Sequence, residues 1–140
     1  MSDTLDFGTE AWLSRFAEEL NTSEGYAEAA KNWEGDLYFV IEAEGSTLSH
    51  NVYMYLDLWH GKCRQIAMPQ TPDEFEPEFT FTGSVKTFKQ IIDEGLDPIK
   101  AIITRKLKLQ GNLAKIMRNV RAANQLVRCS THIPTRFPLE

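Results

Sequence analysis

Two short segments place histidine and cysteine at a spacing that metal sites use. His60 and Cys63 are three residues apart, and so are Cys129 and His132. Thiolate and imidazole are ligands that zinc prefers, and a structural site needs four such groups in a tetrahedral arrangement. One pair lies at a predicted hairpin turn and the other lies beyond the last predicted helix, and the separation matches no finger motif. The pattern therefore favours turn histidines and buried thiols, and we expect no metal.

Other arrangements that carry chemistry are missing from the sequence. It contains no Gly-x-Ser-x-Gly turn, no catalytic-cysteine signature and no His-Glu-x-x-His helix. No glycine loop of the kind that cradles phosphates follows a predicted strand. The acidic run Asp73, Glu74, Glu76 and Glu78 lacks the spaced Asp-x-Asp pattern of a calcium loop. We therefore predict no catalytic residue and no cofactor, and we expect that the protein is not an enzyme.

Charge is distributed unevenly along the chain. Residues 1–97 carry six basic and nineteen acidic side chains, whereas residues 98–140 carry nine basic and one acidic. On the last predicted helix, Lys115, Arg118 and Arg121 share a face that could be solvated surface or could bind anionic lipid head groups. Since the net charge is −5 and no nucleic-acid motif is present, we expect no nucleic-acid partner.

Length and composition indicate a single globular domain over residues 1–140, with 42% hydrophobic and 25% charged residues. No run approaches the roughly eighteen apolar residues of a membrane span, and Met1–Thr4 begins no signal peptide. Two cysteines are too few for a disulfide framework. We therefore expect a cytoplasmic protein with reduced thiols. The oligomeric state does not follow from the sequence.

Hydrophobic periodicity predicts the elements of the first half. Thr9 and Ser23 are candidate N-caps of two helices, the second of which runs to about Trp33. Gly35-Asp36 is then expected to turn the chain into a sheet. Strict alternation of side chains predicts three strands in a meander, over residues 37–44, 52–59 and 63–68. The three prolines of residues 69–77 predict an exposed loop.

The second half begins with a strand and two helices. Residues 79–82 alternate apolar and polar side chains, which predicts a strand, and Ser84 can cap the helix that follows. That helix is expected to end near Glu94, with Gly95 in the C′ position. Asp97 can cap the next helix, where Pro98 fills the first position.

A further strand and a long helix complete the predicted order. Residues 106–110 alternate as a strand, and Asn112 can cap a helix with one continuous apolar stripe, made by Leu113, Ile116, Met117, Val120, Ala123 and Val127. The whole order predicts an α+β fold, with a five-stranded, mostly antiparallel sheet and helices packed on one face.

This second half resembles the C-terminal half of a sterol carrier protein-2 type lipid-binding domain. The resemblance rests on the order strand, Gly83-Ser84, helix, Asp97-Pro98, helix, Lys106-Leu107-Lys108-Leu109, Gly111-Asn112, helix, and extends more weakly to residues 27–36. It implies a tunnel for a lipid between the sheet and the C-terminal helices. Relatives often have glycine ahead of the Lys-Leu-Lys run, where this chain has the bulkier Thr104-Arg105.

The resemblance also implies which residues bind the lipid. The apolar wall is expected on Phe81, Phe88, Ile91, Ile92, Ile102, Ile103, Met117, Val120, Leu126 and Val127. Lys115, Arg118 and Arg121 are expected to contact head groups or an anionic membrane. The implied function is non-catalytic binding and transfer or presentation of a fatty acid, acyl-coenzyme A, sterol or quinone-like lipid. Two alternatives remain: a scaffold domain whose cavity is filled by its own side chains, and a small enzyme acting on a hydrophobic substrate.

Overall fold

In the computed structural model, which describes residues 4–139, the chain forms seven strands and six helices. The strands are β1 (Leu5–Asp6), β2 (Glu34–Glu42), β3 (Val52–Trp59), β4 (Lys62–Ala67), β5 (Phe79–Ser84), β6 (Lys108–Gln110) and β7 (Thr135–Arg136). The helices are α1 (Glu10–Asn21), α2 (Glu24–Ala29), α3 (Val85–Asp93), α4 (Pro98–Ile103), α5 (Leu113–Met117) and α6 (Val120–Thr131). Most of the Met1–Thr4 segment, on which the expectation about a signal peptide depends, lies outside the described residues.

Five strands form one mixed sheet in the order β4-β3-β2-β5-β6. Three of its four pairings are antiparallel, and β2 pairs with β5 in parallel. A parallel neighbour needs a crossover connection, which here consists of β3, β4 and the following loop. The predicted α+β fold, with a five-stranded, mostly antiparallel sheet and helices on one face, is confirmed.

A second, two-stranded sheet was not predicted. β1 pairs in parallel with β7, which joins the two ends of the described chain. The indole of Trp12 donates a hydrogen bond to the Thr135 hydroxyl at 3.0 Å, and Arg136 forms an ion pair with Asp6. Both strands are too short to show any periodicity in the sequence, since they contain two residues each.

The predicted helix starts are confirmed. Each of five side chains accepts a hydrogen bond from a backbone amide in the first turn of the helix that it precedes: Thr9, Ser23, Ser84, Asp97 and Asn112. Such a cap depends on residues two or three positions apart, so it can be recognised from the sequence alone.

No helix within residues 4–139 meets the length and hydropathy that crossing a bilayer demands.

The prediction of one continuous last helix is wrong at its centre. α5 ends at Met117 and α6 begins at Val120. Between them, the Asn119 side chain folds back and donates to the Lys115 carbonyl at 2.8 Å, and its backbone leaves the helical region with φ −126° and ψ 35°. An asparagine that bonds to nearby backbone in this way competes with the helix. The apolar stripe therefore changes phase between the two helices.

Several other boundaries also differ from the prediction. α2 ends at Ala29, and β2 already begins at Glu34, so Gly35 and Asp36 lie in a strand instead of a turn. The last strand of the main sheet is shortened to Lys108–Gln110. The chain turns three residues before this strand, at Arg105, whose φ of 64° lies in the left-handed region that favours glycine.

The sheet has two differently covered faces. Its inner face, with the helices, forms the main core. Its outer face carries a small cluster of Tyr38, Val40 and Tyr55, over which the loop of residues 69–77 folds. Phe75 of that loop stacks on Tyr55 with ring centroids 3.9 Å apart, and its amide donates to the Tyr38 hydroxyl at 3.0 Å. Most of the loop is exposed, as predicted, and its Phe75 covers part of the sheet.

Candidate functional site

An apolar cavity of about 110 Å³ lies between the inner face of the sheet and the helices. Its sheet side is built by alternation along three neighbouring strands. Phe39 of β2 is paired in register with Met54 of β3 and with Phe81 of β5, so these three side chains lie abreast. Leu37 and Leu58 extend the same wall. Phe88 of α3 packs edge-on against Phe39, with centroids 6.1 Å apart.

The helical wall comes from several short elements. Helices α3 and α4 contribute Ile91, Ile92, Pro98, Ile99 and Ile102, and the segment after α4 contributes Leu107. Helix α5 contributes Ile116, and α6 contributes Ala122, Ala123, Leu126 and Val127. Each of these helices turns only part of its surface inward, because residues three or four positions apart share a face. The wall opposite the sheet is therefore assembled from pieces of four helices.

Seven of the ten residues predicted for the apolar wall line this cavity: Phe81, Phe88, Ile91, Ile92, Ile102, Leu126 and Val127. Three lie elsewhere. Ile103, the last residue of α4, is 62% exposed, and Met117 is 45% exposed. Val120 packs against the core without lining the cavity. Met117 and Val120 do not line the cavity because the helix breaks between α5 and α6. Within α5, Ile116 is the one buried residue.

The first half of the chain contributes a wall that the sequence interpretation did not assign. Phe7, Trp12, Phe16, Tyr26 and Trp33 all border the cavity. Helical periodicity predicts that Trp12 and Phe16 lie on the apolar face of α1. The pattern does not distinguish a side chain that packs against a neighbour from one that borders a cavity. β1, which precedes α1, brings Phe7 into the same wall.

Three of the lining side chains are polar, namely Tyr26, Asn119 and Ser130, and none of the residues described as lining the cavity is an acid, a base or a cysteine. The Ser130 hydroxyl donates to the Val127 carbonyl at 2.5 Å. Because nearly all of the wall is apolar, this arrangement can bury an apolar guest.

The histidines and cysteines singled out in the sequence have different surroundings. His60 Nε2 lies 2.6 Å from a Glu34 carboxylate oxygen, and His132 Nδ1 lies 3.2 Å from Glu19 Oε1. Both cysteines are free and buried. Burial raises the pKa of the Cys63 thiol to about 11 and also raises that of Cys129. Within residues 4–139, no cluster of three or more acidic, histidine or cysteine side chains has the geometry to hold a metal ion.

The three cations predicted to meet a membrane have different environments. Lys115 Nζ donates to the Glu34 carbonyl at 2.6 Å and to the Glu78 carboxylate at 2.8 Å, and it lies 4.9 Å from the centre of the Trp33 ring. It therefore ties α5 to the beginnings of β2 and β5, two interior strands of the sheet. Arg118 and Arg121 are exposed, and their side chains form no ion pair or hydrogen bond with any residue of the described part of the chain.

Comparison with known proteins places this geometry among related structures. A model of the SCP-2 sterol transfer family matches residues 14–124. A crystal structure of sterol carrier protein 2 is similar, with 30% sequence identity, a TM-score of 0.79, and coverage of 91% of this chain and 98% of that chain. The solution structure of a conserved hypothetical protein from Thermus thermophilus, described as possibly a sterol carrier protein, has 29% identity and a TM-score of 0.83. That alignment covers 96% of this chain and 94% of the other.

A more distant structure, sterol carrier protein 2 from Yarrowia lipolytica in its apo form, shares the fold. Its identity is 19% and its TM-score 0.61, with 94% of this chain and 98% of that chain covered. A search of curated protein sequences finds no match.

Proposed function

The chain belongs to the SCP-2 sterol transfer family, and from this premise we propose that it carries a single lipid molecule in the cavity between its sheet and helices. Membership supports lipid binding or transfer in general. The finer proposal is that residues 1–140 act as one domain, that the cavity described above is the binding site, and that the protein acts without catalysis. The two free cysteines favour a reducing compartment such as the cytoplasm.

The observation that carries the proposal is the apolar open space inside the core. Each methylene that leaves water gains about 0.8 kcal/mol, so a dozen methylenes gain on the order of 10 kcal/mol before losses. Part of that gain is lost when the guest is immobilised. Protein interiors are normally packed without voids much larger than a water molecule, so a cavity of about 110 Å³ has a cost that an apolar guest would remove.

The cavity must widen to hold a whole lipid, because pockets for ligands of that size occupy about 300–1,000 Å³. The sheet side is held by ladders of backbone hydrogen bonds between β2, β3 and β5. The opposite side includes α4 and α5, which have six and five residues. Helices this short are held in place mainly by their packing. We therefore expect α4 and α5, together with the break at Asn119, to move outward when the lipid enters.

An anionic membrane is the source from which we propose the lipid is taken. Residues 98–139 contain no acidic side chain. The outer surface of α4 and α5 exposes Ile103, Leu113 and Met117, three of the four large hydrophobic side chains that are exposed within residues 4–139. Leu113 and Met117 are four residues apart on α5 and so lie side by side. Apolar side chains next to unpaired cations are typical of surfaces that dock on anionic lipid.

A pair of neighbouring isoleucines tests the binding site. Ile102 lines the cavity, whereas Ile103 beside it is exposed. We expect Ile102→Trp to weaken binding of a fluorescent long-chain fatty acid at least about tenfold, because the indole occupies the space of the guest. Ile103→Trp is the matched control and should bind as the unaltered protein does. Both variants are checked for folding by circular dichroism.

The same experiment can refute the proposal. Lipids extracted from the purified protein are identified by mass spectrometry, and the fluorescent fatty acid is titrated into the unaltered chain. If no lipid is extracted and the probe does not bind, the carrier function is wrong. If the probe binds and both isoleucine variants retain it equally, the cavity is not the site.

Flotation with vesicles tests the membrane contact. We expect the protein to float with phosphatidylglycerol vesicles and not with phosphatidylcholine vesicles, and we expect added salt to release it. The double variant Arg118→Glu with Arg121→Glu should abolish flotation. Lys86→Glu is the control, because Lys86 is exposed and unpaired among the described residues but lies on α3. Equal loss of flotation in the control would contradict a specific surface.

A further inference from the structure

One hydroxyl group in the cavity wall is left without a partner. Asn119 and Ser130 donate hydrogen bonds to backbone carbonyls, to those of Lys115 and Val127. The Tyr26 hydroxyl has no hydrogen-bond partner among residues 4–139. A hydroxyl withdrawn from water without a partner loses hydration and gains nothing in exchange. The Tyr26 hydroxyl is therefore a buried group of this wall that a guest could satisfy.

Tyr26 lines the cavity, and its hydroxyl is not fully enclosed. Tyr26 is only 1% exposed, yet no polar side-chain atom in the described part of the chain is both fully enclosed and without a partner. The hydroxyl therefore keeps some accessible surface. Because Tyr26 lines the cavity, we take this surface to face the space proposed to receive the lipid.

The position of Tyr26 is fixed by the elements around it. Its backbone amide donates to the Ser23 side chain at 3.0 Å, which caps the start of α2. Helix α2 lies close against α6, since a side-chain carbon added at Gly25 would lie 2.7 Å from Gln125 Oε1. Burial, with smaller contributions from the Cys63 and Cys129 thiols, raises the pKa of the Tyr26 phenol above its usual value of 10.0. The phenol therefore stays protonated and can donate a hydrogen bond.

We propose that Tyr26 determines which lipids the cavity accepts, by donating a hydrogen bond to a neutral oxygen of the guest, either a hydroxyl or a carbonyl. This inference rests on the proposed carrier function and goes beyond it, because it names the chemical class of the ligand. A carboxylate at the same place is disfavoured, since no cation lines the cavity within residues 4–139 and one hydrogen bond does not offset the burial of a charge. A pure hydrocarbon would leave the phenol unsatisfied.

The variant Tyr26→Phe tests the inference because it removes one hydroxyl and keeps the ring. The probes are a long-chain alcohol, the methyl ketone and the alkane of equal carbon number, each measured by displacement of a fluorescent fatty acid. We expect Tyr26→Phe to weaken binding of the alcohol or the ketone by about tenfold relative to the unaltered protein. Binding of the alkane, which has no oxygen to lose its hydration, should be retained. Tyr53→Phe is the matched control, because Tyr53 belongs to the cluster on the outer face of the sheet.

Infrared spectroscopy measures the hydrogen bond to the guest directly. A purely structural role of Tyr26 would not change the carbonyl stretching frequency of a bound ketone. The carbonyl stretch of the bound ketone should shift to lower frequency in the unaltered protein and return to its apolar-solvent value in Tyr26→Phe. A response of the alcohol alone or of the ketone alone identifies which neutral oxygen is recognised.

The outcomes separate this inference from the carrier function. If lipids bind but Tyr26→Phe weakens the alcohol and the alkane equally, or changes neither, Tyr26 does not select the ligand and the inference is wrong. If the unaltered protein binds none of the probes, the carrier function itself is wrong, and the inference fails with it.

Discussion

Replacing Ala122 by leucine would fill the cavity from the side of α6. Ala122 is buried and lines the cavity. Leucine adds three carbon atoms, which gain about 2.4 kcal/mol at 0.8 kcal/mol for each buried methylene. A second route gives a similar value, since a cavity of about 110 Å³ corresponds to about 2.6 kcal/mol at roughly 24 cal/mol per Å³. Loss of rotamer freedom by the leucine removes about 0.5–1 kcal/mol. We therefore expect Ala122→Leu to stabilise the lipid-free protein by about 1.5–2 kcal/mol.

Urea unfolding followed by circular dichroism measures this change. The midpoint should rise without a change in slope, because the surface exposed on unfolding is nearly the same. The same variant should lose affinity for a fluorescent long-chain fatty acid, since the leucine takes the space of the guest. Ala11→Leu is the control on the exposed side of α1, where we expect a change within about 0.5 kcal/mol.

The sign of the change in stability shows whether the core has room for the added side chain. A well-packed core resists an added side chain, and overpacking typically costs about 1–3 kcal/mol. If Ala122→Leu destabilises the protein by that amount, or if it stabilises the protein and leaves lipid affinity unchanged, the reasoning from the cavity is refuted.

Three further predictions concern single residues. Gly61→Ala should lower the free energy of unfolding by about 3 kcal/mol, because the φ of Gly61 is +79° and an added carbon would lie 2.8 Å from the backbone of α2. Gly45 has a similar φ of +78° but open space around it. Gly45→Ala should therefore lower the free energy of unfolding, measured in urea, by only about 1 kcal/mol. Iodoacetamide at about pH 8 should alkylate Cys63 roughly 100-fold more slowly than an exposed cysteine, because burial raises its pKa from 9.0 to about 11. The folded state holds that proton more tightly than the unfolded state, so stability should fall as the pH rises from about 9 to about 11, and faster alkylation or a flat pH profile would contradict the burial of the thiol. Arg105→Gly should be neutral or stabilise the protein by up to about 1 kcal/mol, because it relieves a left-handed φ of 64°. Thr104→Gly should destabilise it, and urea unfolding measures both changes.

Local features of the fold could be predicted from the sequence because their causes are local. The caps at Ser23 and Ser84 each involve a backbone amide three residues away. Alternation along β2 and β3 follows from the geometry of a strand, whatever the strand pairs with. Thr104-Arg105 was noted because relatives often have glycine there, and the positive φ of Arg105 gives the physical reason for glycine at that position.

Features that depend on distant partners could not be predicted in the same way. β1 and β7 have two residues each and exist because the ends of the chain meet. Periodicity placed Lys115 on one basic face with Arg118 and Arg121, but it could not show that Glu34 and Glu78, from distant parts of the chain, bind Lys115. The break at Asn119 interrupts a stripe that periodicity alone would continue, because competition by a single side chain leaves the spacing of the apolar residues unchanged.

The sequence by itself determined which side of each element is apolar, and hence that a sheet and several helices share one core. Only the tertiary structure decided that this core does not close. Whether facing surfaces fill the space between them depends on small differences among the volumes of side chains from many elements, and no periodic pattern records those differences. For the same reason Ile102 borders the cavity and Ile103 faces solvent, although the two residues are chemically identical neighbours.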